Sequence, residues 1–141
     1  MNARTRELIL RAVRRNDARL ERFERGLARR ALLAALPRVL PRRLDALAAH
    51  GFEGTIELRI RGAIGGEPDR YELAIAQERC EVRRGPSPES GATITVGASD
   101  LVRLAAGAVG WPRLLGSGRL EIAGDPFVAL RFPTLFRLAV R

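Results

Sequence analysis

The residue types that carry most enzyme chemistry are scarce in this chain, which has one His (His50), one Cys (Cys80) and one Tyr (Tyr71). Acid–base and nucleophilic catalysis need such groups within hydrogen-bond reach of one another. His50 closes a helical stretch just before Gly51, and its imidazole reads as a cap or helix-dipole partner. Tyr71 and Cys80 fall in separate runs of alternating polarity, and no carboxylate pair accompanies them. A single cysteine excludes an internal disulfide and a Cys-based metal site. Ser99, Ser117 and Asp125 sit where helix caps and turns are expected. The stretch Gly107 to Gly118, GAVGWPRLLGSG, holds a Gly-x-x-Gly spacing. Its intervening residues are Ala and Val, with no basic side chain and no Gly-Lys-Ser/Thr phosphate loop. These residues predict a chain that is not an enzyme and uses no metal and no cofactor.

What the chain has in abundance is apolar patterning. Three runs alternate with a period of two and predict half-buried strands: Ile56, Leu58 and Ile60; Tyr71, Leu73 and Ile75; Cys80 and Val82. Gly62 to Asp69 and Gly85 to Gly91, rich in Gly and Pro, read as the loops between and after them. A fourth strand, Ala92 to Gly97, turns Ile94 and Val96 inward, and a fifth spans Arg119 to Ala123. The fold class is therefore α+β: a five-stranded, largely antiparallel sheet with one solvated polar face and one apolar face covered by helices. Ser99 is placed to cap a helix over about Asp100 to Ala108. Asp125 and Pro126 mark the cap and first turn of a C-terminal helix. That last segment carries so many apolar residues, among them Phe127, Leu130, Phe132, Leu135 and Phe136, that it predicts burial nearly all round.

Upstream of the sheet the chain is different. Residues 1–50 hold 13 Arg against 5 acids, a balance of +8; residues 51–141 hold 12 Arg against 11 acids, a balance of +1. All basic residues are Arg, a bias attributable to GC-rich coding, so the net charge of +9 describes an N-terminal arm and makes nucleic acid an unlikely partner. From Thr5 to Arg30 the seam Ile9, Val13, Asn16, Leu20, Phe23 and Leu27 predicts a long Arg-rich helix. Three arrangements suit it: packing on the protein's own body, pairing with its copy in a homodimer, or lying on an anionic membrane or acidic partner. Pro37 and Pro41 predict that residues 31–50 break into short pieces, the last ending at Gly51. The organisation that follows is a helical arm over 1–44 and a compact domain over 45–141. No apolar run is long enough to span a bilayer, and neither a secretory nor a transit signal opens the chain, which predicts a cytoplasmic protein.

The run Gly118 to Phe136, GRLEIAGDPFVALRFPTLF, joins strand, Gly-Asp-Pro turn and apolar helix. Following the Ser99 helix, it resembles the sterol carrier protein type 2 domain family over roughly residues 45 to 141. The resemblance implies a non-catalytic domain that binds or transfers an apolar lipid, whether fatty-acyl, sterol or prenyl-type. It implies a cavity between the sheet and the C-terminal helix. Leu101, Leu104, Trp111, Leu115, Ile122, Phe127, Leu130, Phe132, Leu135 and Phe136 are the candidate lipid-binding wall. Burial of an acyl tail there contributes about 0.8 kcal/mol per methylene. Two features depart from the family pattern: the long Arg-rich helix and the Trp111-Pro112-Arg113 segment. The competing reading is an interaction or dimerisation module with a solid core, acting through the basic N-terminal helix. A third role, as an accessory subunit in isoprenoid or quinone metabolism, is compatible with the resemblance.

Overall fold

The computed structural model describes residues 4, 21–62 and 66–138. The seam positions Ile9, Val13, Asn16 and Leu20 lie outside the described residues. All five predicted strands form: β1 (Gly54–Ile60), β2 (Asp69–Ala76), β3 (Arg79–Arg84), β4 (Ala92–Val96) and β5 (Leu120–Gly124). Their order across the sheet is β3-β2-β1-β4-β5, with β1 and β4 parallel and every other pair antiparallel. The register aligns the inward residues in rows. Tyr71, Leu58, Ile94 and Ile122 stand side by side across four strands, and Val82, Leu73 and Ile56 form the neighbouring row. One face of the sheet is thereby continuously apolar.

The opposite face is less open than its polar pattern predicts. The chain must pass from β3 at one edge to β4 on the far side of β1, so residues 85–91 cross the polar face. Ser87 fastens this crossing. Its N–H donates to Glu57 (2.7 Å) and its hydroxyl to Glu72 (2.9 Å). Glu57 is left only 3 % exposed, with Arg59 as its further partner, so this part of the face is buried rather than solvated.

Helices cover the apolar face: α1 (Gly26–Arg43), α2 (Ala46–Ala49), α3 (Ala98–Ala106), α4 (Trp111–Gly116) and α5 (Pro126–Leu135). The uninterrupted helix expected over Thr5–Arg30 is not what the described part forms. Glu21–Glu24 make a 3-10 turn and α1 begins afresh at Gly26, whose φ of +70° takes the chain out of the right-handed helical region.

Downstream the short pieces expected over residues 31–50 are replaced by one helix, because α1 continues through both Pro37 and Pro41. Pro37 has no N–H to give the carbonyl of Leu33, four residues before it. Tyr71 of β2 supplies the missing donor, its hydroxyl bonding that carbonyl at 2.9 Å. The helix survives its proline because the sheet replaces the lost bond. Leu33, Leu36 and Leu40 are then buried in the same core as the strands. Arg29, from the first turns of α1, is also buried and reaches Asp69 (2.8 Å) and the carbonyl of Ile60 (3.3 Å). The helix thus packs on the body of the protein. After it, Asp45 caps the short α2 by accepting from the amides of Leu47 and Ala48.

Ser99 does not cap α3, which starts at Ala98, two residues earlier than expected, with Gly97 as its N-cap. The capping oxygen comes from the 3-10 turn instead. Glu24 accepts from both the N–H (2.9 Å) and the hydroxyl of Ser99. Asp125 does cap α5, accepting from the N–H of Phe127 at 2.9 Å, and Pro126 occupies the first turn. The turn before it depends on Gly124 (φ +87°). A Cβ there would stand 2.7 Å from the carbonyl oxygen of Gly91, to which the N–H of Asp125 donates at 2.8 Å. Contrary to its apolar pattern, α5 is not buried all round, since Phe127 is 83 % exposed and Leu130 48 %. The helix lies along the edge of the core, with Ala129, Phe132 and Leu135 inward and those two outward.

Candidate lipid-binding groove

Between α1, α3 and the end of α5 the helical layer leaves an apolar groove of about 140 Å³. One wall is α1, with Leu32, Leu36 and Val39; the other is α3, with Leu101, Val102 and Ala105. Phe132, Phe136 and Leu138 close it from the C-terminal side. The rings of Phe132 and Phe136 meet at 5.1 Å between centroids, inclined by 47°. Arg43, in the last turn of α1, is the one charged residue in this wall among the described residues. Its guanidinium donates to the carbonyl of Ala105 at 3.2 Å, bridging α1 to α3. The 3-10 turn meets α3 at both ends, Glu24 holding Ser99 in its first turn and Phe23 packing against Ala106 in its last.

Three of the ten residues expected to contact lipid, Leu101, Phe132 and Phe136, line this groove. Leu104 and Leu135 are fully buried core residues beside it. Trp111, Leu115 and Ile122 are half-buried and pack against the edge of the core. Phe127 and Leu130 face outward and do not line it. The wall that sequence reasoning missed is the face of α1. Its positions Leu32, Leu36, Val39 and Arg43 recur at helical spacing, a signal hidden by the two prolines inside it.

Two broader openings, of about 570 and 470 Å³, lie at the start of β1 and the β2–β3 turn. Charged and polar residues line them, including Glu53, Gln77, Glu78 and Arg79, so they do not suit an apolar ligand. His50, at the first of these, meets the Glu78 carboxylate through Nδ1 at 2.5 Å, a contact that joins the end of α2 to the β2–β3 turn.

The titratable groups are disposed as structural elements. Burial raises the carboxyl of Asp69, but hydrogen bonds from Arg29 and Arg84 outweigh it and hold the group below its usual range. Glu57 is lowered in the same way, burial being opposed by the Ser87 amide and by Arg59. Burial raises the Tyr71 hydroxyl, and pushes the Cys80 thiol up to about 11 with Glu81 adding to the effect. Among the described residues no cluster of His, Cys, Asp or Glu is arranged to hold a metal ion, and no helix is long and apolar enough to cross a membrane.

The sequence profile of the SCP-2 sterol transfer family matches residues 34–137, and the chain belongs to that family. The match begins within α1, so it takes in every α1 residue of the groove wall except Leu32, a stretch that the sequence pattern assigns to an arm. Solved structures share the fold. Sterol Carrier Protein 2 Like 2 from Aedes aegypti aligns with a TM-score of 0.62 at 20 % identity, covering 75 % of this chain and 97 % of that one. A second structure of that mosquito protein, determined in solution, is of its palmitated form. The ubiquinone synthesis protein UbiJ-SCP2 aligns with a TM-score of 0.56 at 20 % identity over 79 % of this chain and 93 % of that one. The inverting sec-alkylsulfatase Pisa1 from Pseudomonas sp. aligns over 75 % of this chain, with a TM-score of 0.60 and 20 % identity. This chain spans only 16 % of that enzyme's length. No curated protein sequence matches the chain.

Proposed function

We propose that the protein binds or transfers an apolar lipid without catalysing a reaction on it, and that the groove between α1 and α3 is where the lipid tail lies. The observation that carries this reading is a groove walled almost wholly by Leu, Val, Ala and Phe side chains, in a chain of the sterol transfer family. At about 140 Å³ it falls below the roughly 300 Å³ at which small-molecule pockets begin. A tail enters by spreading α1 from α3. Leu101, Phe132 and Phe136 are the ligand wall, with Leu104 and Leu135 as the floor behind it. The ligand class is fatty-acyl, sterol or prenyl-type, and the Aedes aegypti protein in its palmitated form supports the first. The likeness to UbiJ-SCP2 supports an accessory role in isoprenoid or quinone metabolism as a setting for the same binding.

The groove's small volume favours one rival, a closed core whose work is done at the surface, with the basic N-terminal segment meeting an anionic membrane, an acidic partner or a second copy. Native mass spectrometry of the purified protein, followed by organic extraction, separates the two. A co-purifying or added lipid at one per chain supports the carrier. A protein that stays apo in the presence of excess palmitate, cholesterol and a prenyl alcohol removes it. We place this work in the cytoplasm, as expected of a chain with one cysteine and no spanning segment.

A further inference from the structure

At about 140 Å³ the groove between α1 and α3 is too small for a long apolar tail, so binding requires one of its walls to give. The two parts of the α1 wall are not held alike. Before Pro37 the helix is fastened to the sheet by directional bonds. Arg29 reaches Asp69 at 2.8 Å and the carbonyl of Ile60 at 3.3 Å, and Tyr71 donates to the carbonyl of Leu33 at 2.9 Å. From Pro37 onward the main chain itself is less tied. A helix joins each turn to the one before it through N–H groups bonded four residues back, and neither Pro37 nor Pro41 has an N–H to give. The sheet replaces the donor that Pro37 lacks. The N–H missing at Pro41 is one that would tie the last turn of α1 to the carbonyl of Pro37, and each proline ring presses on the carbonyl four residues before it, which favours a bend there.

The far end of this segment is also a pivot. Leu44 leaves the helix with extended backbone (φ −65°, ψ 130°), and the next residue is fixed to the body of the protein, the N–H of Asp45 donating to the carbonyl of Leu135 at 2.8 Å. Between the two pivots, Val39, Leu40 and Arg43 line the groove, while Arg38 and Arg42 are exposed. Arg43 reaches the carbonyl of Ala105 at 3.2 Å as one of its contacts, so side chains hold this turn against α3. We infer that residues 38–43 are the gate of the lipid groove, swinging away from α3 between Pro37 and Leu44 while residues 26–36 stay on the sheet. The entering tail replaces the apolar contacts that Val39 and Leu40 give up. The inference rests on the groove being the lipid site, and adds how that site opens.

Two measurements with palmitate on the full chain test it. Spin labels are placed at exposed positions in a Cys80→Ala background, Cys80 being the one native cysteine. One pair joins Arg38→Cys on the gate to Arg113→Cys on α4; the other joins Arg30→Cys, before Pro37, to the same Arg113→Cys. Palmitate lengthens the first distance by a few ångström and leaves the second unchanged. Pro41→Ala restores the missing N–H at a position outside the groove lining, and slows palmitate association in stopped flow about fivefold, the magnitude of one helical hydrogen bond. Equal lengthening of both pairs means that α1 moves whole about Gly26, and overturns the inference. One-to-one palmitate binding with neither distance changed overturns it too, as does association at the wild-type rate in Pro41→Ala. These three results leave the carrier reading standing. Where palmitate does not bind, the same distances and rates are read with cholesterol and a prenyl alcohol. A wild type that binds none of the three refutes the carrier reading, and this inference with it.

Discussion

Tyr71→Phe removes a single oxygen, yet the structure assigns it an effect larger than an ordinary lost hydrogen bond. The Tyr71 hydroxyl is the donor to the carbonyl of Leu33, and it stands in for the amide that Pro37 lacks. With the hydroxyl gone, that carbonyl is left without either donor beside a fully buried ring. Leaving a buried acceptor unsatisfied costs about 1–3 kcal/mol, against about 1 kcal/mol for the net loss of a typical bond. For a chain of this size each kcal/mol lowers Tm by roughly 3 °C, so Tyr71→Phe should melt about 3–9 °C below wild type. The sharper test repeats the substitution in a Pro37→Ala background. There the new Ala amide gives Leu33 its helical partner, and Tyr71→Phe should cost about 1 kcal/mol or less. The pair is therefore coupled by about 1 kcal/mol or more in a double-mutant cycle, read from urea denaturation at constant m. Equal costs in the two backgrounds would refute the view that Tyr71 is what lets α1 pass through its proline.

Three further outcomes follow from the polar contacts. Asp69 and Glu57 both have folded pKa values held below the unfolded ones. Their contribution to stability is complete above about pH 5 and disappears as the pH falls through and below 4. Tm should drop over that acid range, and less steeply in Asp69→Asn, as measured by calorimetry from pH 7 to pH 3. The thiol of Cys80, buried and pushed up to about 11, should react with a thiolate-selective reagent at pH 8 about a hundredfold more slowly than in urea; a fast native reaction contradicts its burial on the inner face of β3. Glu24→Ala removes the carboxylate that caps α3 from the 3-10 turn, and should cost about 1 kcal/mol and speed hydrogen exchange at the Ser99 amide. Glu24→Gln, which keeps an acceptor oxygen, should retain part of the protection.

The strands were readable because their period of two reports a local steric fact, and a sheet with one buried face imposes it at every position. The same is true of Asp125 and Pro126, whose capping roles are settled within a few residues. What could not be read depended on partners far along the chain. Pro37 breaks a helix unless something else satisfies Leu33, and that donor lies 38 residues away on β2. Ser99 has the right chemistry for a cap, but Glu24, 75 residues upstream, takes the position over. Glu57 reads as a surface carboxylate until the crossing loop is laid on it. The candidate site suffered most from the first of these. With Pro37 and Pro41 read as stops, the helical face of Leu32, Leu36, Val39 and Arg43 has no helix to sit on, and the expected wall falls on α3, α4, β5 and above all α5. Apolar content then stood in for burial, although Phe127 and Leu130 face outward from that helix.

The central claim, that an apolar tail lies between α1 and α3, is tested most directly by methyl NMR of the Leu and Val side chains during titration with palmitate. A tail in the groove gives saturable shifts at its lining residues Leu32, Leu36, Val39, Leu40, Leu101, Val102 and Leu138, with a stoichiometry of one and with Leu47 and Leu130 unmoved. Absence of saturable shifts in the methyl groups of those residues, or shifts centred on Leu47 and Leu130, would contradict it.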